Sequence, residues 1–170
     1  LIRQMLAYTG QGGYTPEKVN LSMLLQENID LLRAAVPGTT TLNLPLKLDV
    51  PLVLADARQL KQVVINLITN AAEALGETAG AITISTGTEI YKEKDILKSR
   101  IDEKPSPGRF VYLEVADTGC GMDAETLNRI FDPFFTTNFA GRGLGMSAVY
   151  GIIRGHKGAT RMKTNPERER

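Results

Sequence analysis

A single cysteine and a single histidine stand out among the things this chain of 170 residues has little of. One cysteine excludes an intrachain disulfide and a cysteine-based zinc site; one histidine excludes a multi-histidine metal centre. A reducing, cytoplasmic setting is the default for such a chain. Charge of one sign is also missing: 20 basic residues face 19 acidic ones, for a net charge of +1. No electrostatic grip on nucleic acid or anionic lipid is expected from that balance. No apolar run approaches the roughly 18–20 residues of a membrane span. The most apolar stretch, Leu42 to Ala57, is cut by Lys47, Asp49 and Asp56. There is no initiating methionine and no signal peptide, so a piece of a longer protein is expected.

What is present is an ordinary globular mix, 42% apolar and 23% charged, long enough for one self-sufficient core. Leu1 to Tyr8 reads as a short amphipathic helix ended by Gly10, Gly12 and Gly13. Leu21, Leu24, Leu25, Asn28, Leu32 and Ala35 form one stripe at helical spacing, stopped by Pro37-Gly38. Leu42, Leu44, Leu46 and Leu48 alternate with polar residues, a half-buried strand that Pro45 sends to an edge. Asp56 to Leu75 predicts the longest helix, with Asp56 as N-cap and Gly76 at the end. Its core face is Leu60, Val63, Val64, Leu67, Ile68, Ala71 and Leu75. Ala81–Ile90 and Phe110–Asp117 read as an antiparallel strand pair, joined by a charged, mobile loop. A short helix capped by Asp123, a helix over Leu144–Arg154 and a strand over Ala159–Lys163 complete the layout. The class is α+β, with helices on one face of a mixed sheet.

Four places carry candidate chemistry. The long helix has a second stripe, Gln62, Asn66, Asn70 and Glu73, on one face. Asparagine competes for its own backbone and is a poor helix former, so two in mid-helix call for a reason. A neutral amide oxygen suits Mg²⁺, a hard ion shared with phosphate oxygens; a solvated polar face is the alternative. Asp117-Thr118-Gly119-Cys120-Gly121-Met122 follows a strand directly. A carboxylate there can accept from an exocyclic amine, and the glycines allow close approach of a flat ring; a tight turn is the alternative. Gly141-Arg142-Gly143-Leu144-Gly145-Met146-Ser147 leads into a helix, where free N–H groups attract anions. It is neither a dinucleotide fingerprint nor a P-loop. Phe131-Asp132-Pro133-Phe134-Phe135-Thr136-Thr137 offers aromatics for anchoring a lid, or for plugging the core.

Each signal is weak alone, but the ordered set resembles the N box, first glycine box, F box and second glycine box of the ATP-binding domain of sensor histidine kinases. The resemblance runs from about Pro16 to Thr164. It implies a Bergerat-type α/β sandwich, three main helices packed on one face of a mixed, mostly antiparallel sheet. It divides the chain into residues 1–13, the end of a dimerisation helix plus linker, and 14–170, the catalytic ATP-binding domain. It implies ATP and Mg²⁺ as cofactors. Asp117 would take the adenine amino group, and Gly119, Gly121 and Met122 would shape that pocket. Asn70 would bind the metal and Asn66 would support the phosphates. Residues 132–143 would form a lid, with Phe131, Thr136 and Thr137 contributing. Gly141, Arg142, Gly143, Leu144, Gly145 and Met146 would hold phosphates. Glu73, a candidate base, is secondary. The γ-phosphoryl would go to a histidine on the parent's dimerisation domain and then to a response-regulator aspartate.

Relatives of this fold that hydrolyse ATP carry a glutamate where Asn66 stands, so transfer is favoured over hydrolysis. His156, past the second glycine box, is expected to be structural and Cys120 a small loop filler. Asn138 stands where close relatives carry a lid lysine, and the family's closing Gly-Thr-x-Phe strand has no counterpart after Lys163. The competing readings are a degenerate nucleotide-binding or scaffold module, and a serine kinase or ATPase of the same fold. The piece is expected to bind ATP without phosphorylating itself and to be monomeric, within a homodimeric parent whose membrane anchoring the sequence leaves open.

Overall fold

The computed structural model describes residues 13–137 and 143–164. The expected helix over residues 1–8, the lid residue Asn138, and Gly141 and Arg142 lie outside the described residues.

Helix α3, Ala57–Leu75, organises the rest. Its start is fixed by Asp56, whose Oδ1 accepts from the N–H groups of Arg58 at 2.9 Å and Gln59 at 3.2 Å. Its end is Gly76, where φ reaches 60°. The apolar stripe lies where the spacing puts it: Val64, Ile68, Ala71 and Leu75 are buried against Ile82 and Ile84 of strand β4, Gly80–Tyr91. Burying each large side chain is worth about 1.5–3 kcal/mol. The opposite flank, through Val63, meets Met146, Val149 and Ile152 of helix α6, Gly145–Gly155.

Strand β4 pairs antiparallel with β5, Gly108–Asp117, from Ile82↔Asp117 to Tyr91↔Gly108. On its other side β4 pairs in parallel with β2, Thr40–Asn43. The sheet order is β2-β4-β5, mixed as expected, with β2 at the edge. The strand is shorter than the alternation predicts and stops two residues before Pro45, which has no N–H to give a ladder. Leu44 and Leu46 still pack on the core, but Leu48 is exposed. A second, separate antiparallel pair joins β1, Glu17–Val19, to β3, Val53–Ala55. The described strands thus fall into two sheets rather than one.

Three other expectations are corrected. The stripe from Leu21 to Ala35 is two helices, α1 (Leu21–Glu27) and α2 (Ile29–Ala34). They break at Asn28, whose side-chain amide donates to the Leu24 carbonyl while its backbone leaves helical geometry at φ −111° and ψ 19°. The charged connection 92–107 is anchored rather than loose. It forms a turn of helix, α4 (Glu93–Ile96), and buries Ile96 and Ile101, the latter completely. The Tyr150 hydroxyl donates to Asp102, tying this connection to α6. Residues 159–163 form no strand. The short helix expected after the first glycine box is α5, Ala124–Arg129, capped by Asp123. No helix among the described residues is long and apolar enough to cross a membrane.

His156 and Asp56 close the structure at the start of α3. The Asp56 N–H donates to His156 Nε2 at 3.0 Å. The proton therefore sits on Nδ1, which donates to the Ile152 carbonyl at 2.8 Å. His156 is structural, as the sequence suggested, and Tyr14 packs edge-on to its ring. The Asp56 carboxylate is 1% exposed, and its Oδ2 also accepts from the Thr15 N–H at 2.9 Å. Burial pushes its pKa up, but the N–H groups of Thr15, Gln59 and Arg58 and the Arg58 guanidinium outweigh this, so it lies below the ordinary 3.8. A depressed carboxyl stabilises the fold above its unfolded-state pKa and stops doing so as pH falls through the folded one. Urea midpoints should therefore favour the wild type over Asp56→Asn fully above about pH 5. The gap should close as the pH drops past that value; a gap independent of pH would contradict this account.

Candidate nucleotide site

One polar face of α3 forms a floor with a loop at each end. Asn66 is buried, Asn70 is half-buried and Glu73 is exposed. The start of α6 lies over Asn66 and Asn70: a Cβ on Gly145 would stand 3.7 Å from Asn70 Oδ1 and 3.9 Å from Asn66 Cβ. One turn further on, the loop after β5 sits on Ala74. The Cys120 N–H donates to the Ala74 carbonyl at 3.2 Å. Gly119 is pressed so close that any Cβ would fall within 2.8 Å of the Ala74 backbone and Cβ. Only glycine permits that approach. Asn70 and Ala74 are four residues apart, about 6 Å along the helix.

In the 117–122 loop the Gly119 N–H donates to Asp117 Oδ1 at 2.8 Å. Asp117 is otherwise exposed. Thr118 accepts from Ala81 and anchors the loop to the first residues of β4. Gly121 takes φ 69°. Met122 is half-buried, and its N–H donates to the Thr164 hydroxyl at 2.8 Å. Cys120 is exposed in this loop.

The other end is built by the start of α6. Leu144, its N-cap, offers no side-chain hydrogen bond, and its first turn carries no acidic residue. The first hydrogen bond within the helix is from the Ala148 N–H to the Leu144 carbonyl. The N–H groups ahead of it carry the partial positive charge of a helix start, and a helix start of this kind attracts anions. Leu144 and Met146 turn their side chains into the interior, so only their backbones face a ligand. Phe131 likewise packs inward, against the cluster of Val63, Met146 and Val149 and against the Tyr150 ring. Phe135 lies under the Arg129 guanidinium, 4.5 Å from its ring centre. Thr136 and Thr137 are exposed.

The base of the expected lid is pinched shut. The Phe134 N–H donates to the Gly143 carbonyl at 2.8 Å. Both residues are left-handed, at φ 67° and 63°, and Phe134 is 64% exposed.

Asn66 is engaged at both ends. Its Oδ1 accepts from Gln62 Nε2 at 2.8 Å, and its Nδ2 donates to the Gly145 carbonyl at 3.0 Å. Asn70 makes no side-chain hydrogen bond among the described residues, so its amide oxygen is available to a ligand. No group of three His, Cys, Asp or Glu gathers as a metal site among them. An amide oxygen with no hydrogen bond among the described residues, beside a helix start, fits Mg²⁺, which keeps its waters and is held largely through phosphate oxygens. Sequence reasoning placed Gln62 in the stripe without a role; its spacing of four from Asn66 was the available signal. Nothing in the sequence pointed to Thr164 or to the Ala74 backbone.

The profile of the family described as histidine kinase-, DNA gyrase B- and HSP90-like ATPase matches residues 55–170. Sensor kinase CckA of Brucella abortus is 38% identical over 156 residues, 91% of this chain and 16% of that protein. The signal transduction histidine-protein kinase AtoS of Escherichia coli is 29% identical over 98% of this chain and 24% of its own length. The chain thus spans a quarter or less of these relatives. Among solved structures, the nucleotide-free catalytic domain of histidine kinase ThkA superposes with a TM-score of 0.56 at 28% identity, covering 85% of this chain and 82% of that one. Full-length ShkA in complex with AMPPNP is similar in fold, with a TM-score of 0.65 at 21% identity over 91% of this chain and 30% of that one. The order of strands and helices, the floor on α3 and the match over residues 55–170 show that this chain belongs to the histidine kinase-, DNA gyrase B- and HSP90-like ATPase family.

Proposed function

We propose that this chain is the ATP-binding catalytic unit of a two-component sensor histidine kinase. The observation that carries the reading is the α3 floor, with an exposed carboxylate loop on Ala74 at one end and an uncapped helix start over Asn66 and Asn70 at the other. That spacing suits a nucleotide lying along the helix with its base and phosphates at opposite ends.

Asp117, held by the Gly119 N–H, accepts from the adenine amino group through its remaining lone pairs. Gly119 and Gly121 keep side chains away from the ring. The first N–H groups of α6, with the backbones of Gly143 to Met146, receive phosphate oxygens. Asn70 and the phosphates would hold Mg²⁺, which neutralises charge building on the phosphoryl group in flight. Asn66 has no carboxylate with which to deprotonate water, and Glu73 on the same stripe is exposed. The terminal phosphoryl therefore passes to a nucleophile from outside, a histidine on the dimerisation domain, and from there to the aspartate of a receiver domain.

Calorimetry with ADP and AMPPNP, with and without Mg²⁺, tests this. We expect magnesium-dependent binding, weakened roughly tenfold or more in Asp117→Asn, as befits loss of a charged hydrogen bond. Phosphohistidine should form when the parent's dimerisation hairpin is added in trans. Tight ATP binding without transfer would leave a nucleotide-binding module, and no binding by folded protein would leave a scaffold.

A further inference from the structure

We infer that Gln62 is a positioning residue for the nucleotide site, acting through Asn66 to hold the first turn of α6 in register with α3. This rests on the nucleotide reading above and adds to it a residue that touches no ligand.

A side-chain amide can sit in either of two orientations, and its neighbours choose between them. Asn66 faces the Gly145 carbonyl, which can only accept. The amide nitrogen must therefore point at Gly145; the flipped orientation sets oxygen against oxygen. Gln62 supports that orientation by donating to Asn66 Oδ1 at 2.8 Å, one helical turn away. Asn66 is buried, so water does not substitute freely for a lost partner. Leu144 gives no side-chain cap, and the Asn70 side chain forms no hydrogen bond among the described residues. Besides the Phe134–Gly143 bond at the neighbouring loop, the Gln62–Asn66–Gly145 chain is, among the described residues, a direct polar tie between α3 and the turn whose N–H groups face the phosphates. An ionised carboxylate at position 66 would have no hydrogen to give the Gly145 carbonyl.

Gln62→Glu is the sharpest test, being equal in size but, when ionised, unable to donate. At pH 7.5 the variant should bind ADP roughly tenfold more weakly than wild type. Hydrogen exchange at the Ala148 and Val149 amides should speed up without any nucleotide present. As the pH is lowered towards 4 the affinity ratio to wild type should shrink, because a protonated carboxyl regains a donor. Gln62→Lys keeps a donor and should stay within about threefold of wild type. Wild-type-like ADP affinity and exchange in Gln62→Glu would overturn the inference. So would equal losses in the Glu and Lys variants with no pH dependence, the mark of a purely structural residue. If wild-type protein binds no ADP, the nucleotide reading falls, and the exchange comparison alone still decides whether Gln62 holds α6.

Discussion

Gly143→Ala is expected to lower ADP affinity at least tenfold and to destabilise the segment around the start of α6 by about 2–4 kcal/mol. Two independent effects act at this position. Its φ of 63° is one that alanine adopts only with strain. An added Cβ would also lie 2.6 Å from the carbonyl oxygens of both Phe134 and Phe135. Those oxygens belong to backbone and cannot swing aside as a side chain would. Relief requires breaking the hydrogen bond from Phe134 to Gly143, or moving Leu144 and Gly145, which carry the turn proposed to receive the phosphates. Urea denaturation read beside calorimetry separates the two. An alanine variant with unchanged ADP affinity and midpoint would show that the pinched base of the lid contributes nothing.

The largest effect on stability alone is expected from Ile68→Ala, about 3–5 kcal/mol. Ile68 is 0% exposed and sits at the centre of the cluster formed by Leu25, Leu32, Val64, Ala71, Ile82 and Ile84. That cluster joins α1, α2, α3 and the sheet, and close-packed walls collapse poorly around a gap. The melting temperature should drop by roughly 10 °C. Ile68 belongs to the face of α3 opposite the polar stripe, so ADP should bind normally well below the new midpoint. A loss under about 1 kcal/mol would mean that the helix can shift to fill the space.

How far these residues could be read from sequence differs by element, for physical reasons. Helix α3 was legible to its ends, since an aspartate cap, an unbroken apolar stripe and a terminal glycine are all local signals. The β4–β5 pair was legible from alternation, despite the long connection between its strands. The break at Asn28 was hidden because Leu32 stays in phase with Leu25 across it. The burial of Ile96 and Ile101 was hidden because isolated apolar residues in a charged stretch carry no period. For the site, glycines 119 and 143 were visible as residues, but what they press against, Ala74 and Phe134, depends on how distant segments meet. Phe131 and Met146 were read as ligand contacts, yet their side chains face inward, which only the packing of α6 on α3 reveals.

The bond from the Asp56 N–H to His156 spans 100 residues of sequence. During synthesis, residue 56 leaves the ribosome long before its partner exists. At about 5–20 residues per second the wait is roughly 5–20 s. Through that interval Val63 and its flank have no α6 to cover them. This unit is complete only once α6 has emerged to seal that flank and to seat His156 against the start of α3. The exposed flank of the unfinished chain is where a chaperone would act, and stalling between Leu75 and Gly145 is the event that would most promote aggregation.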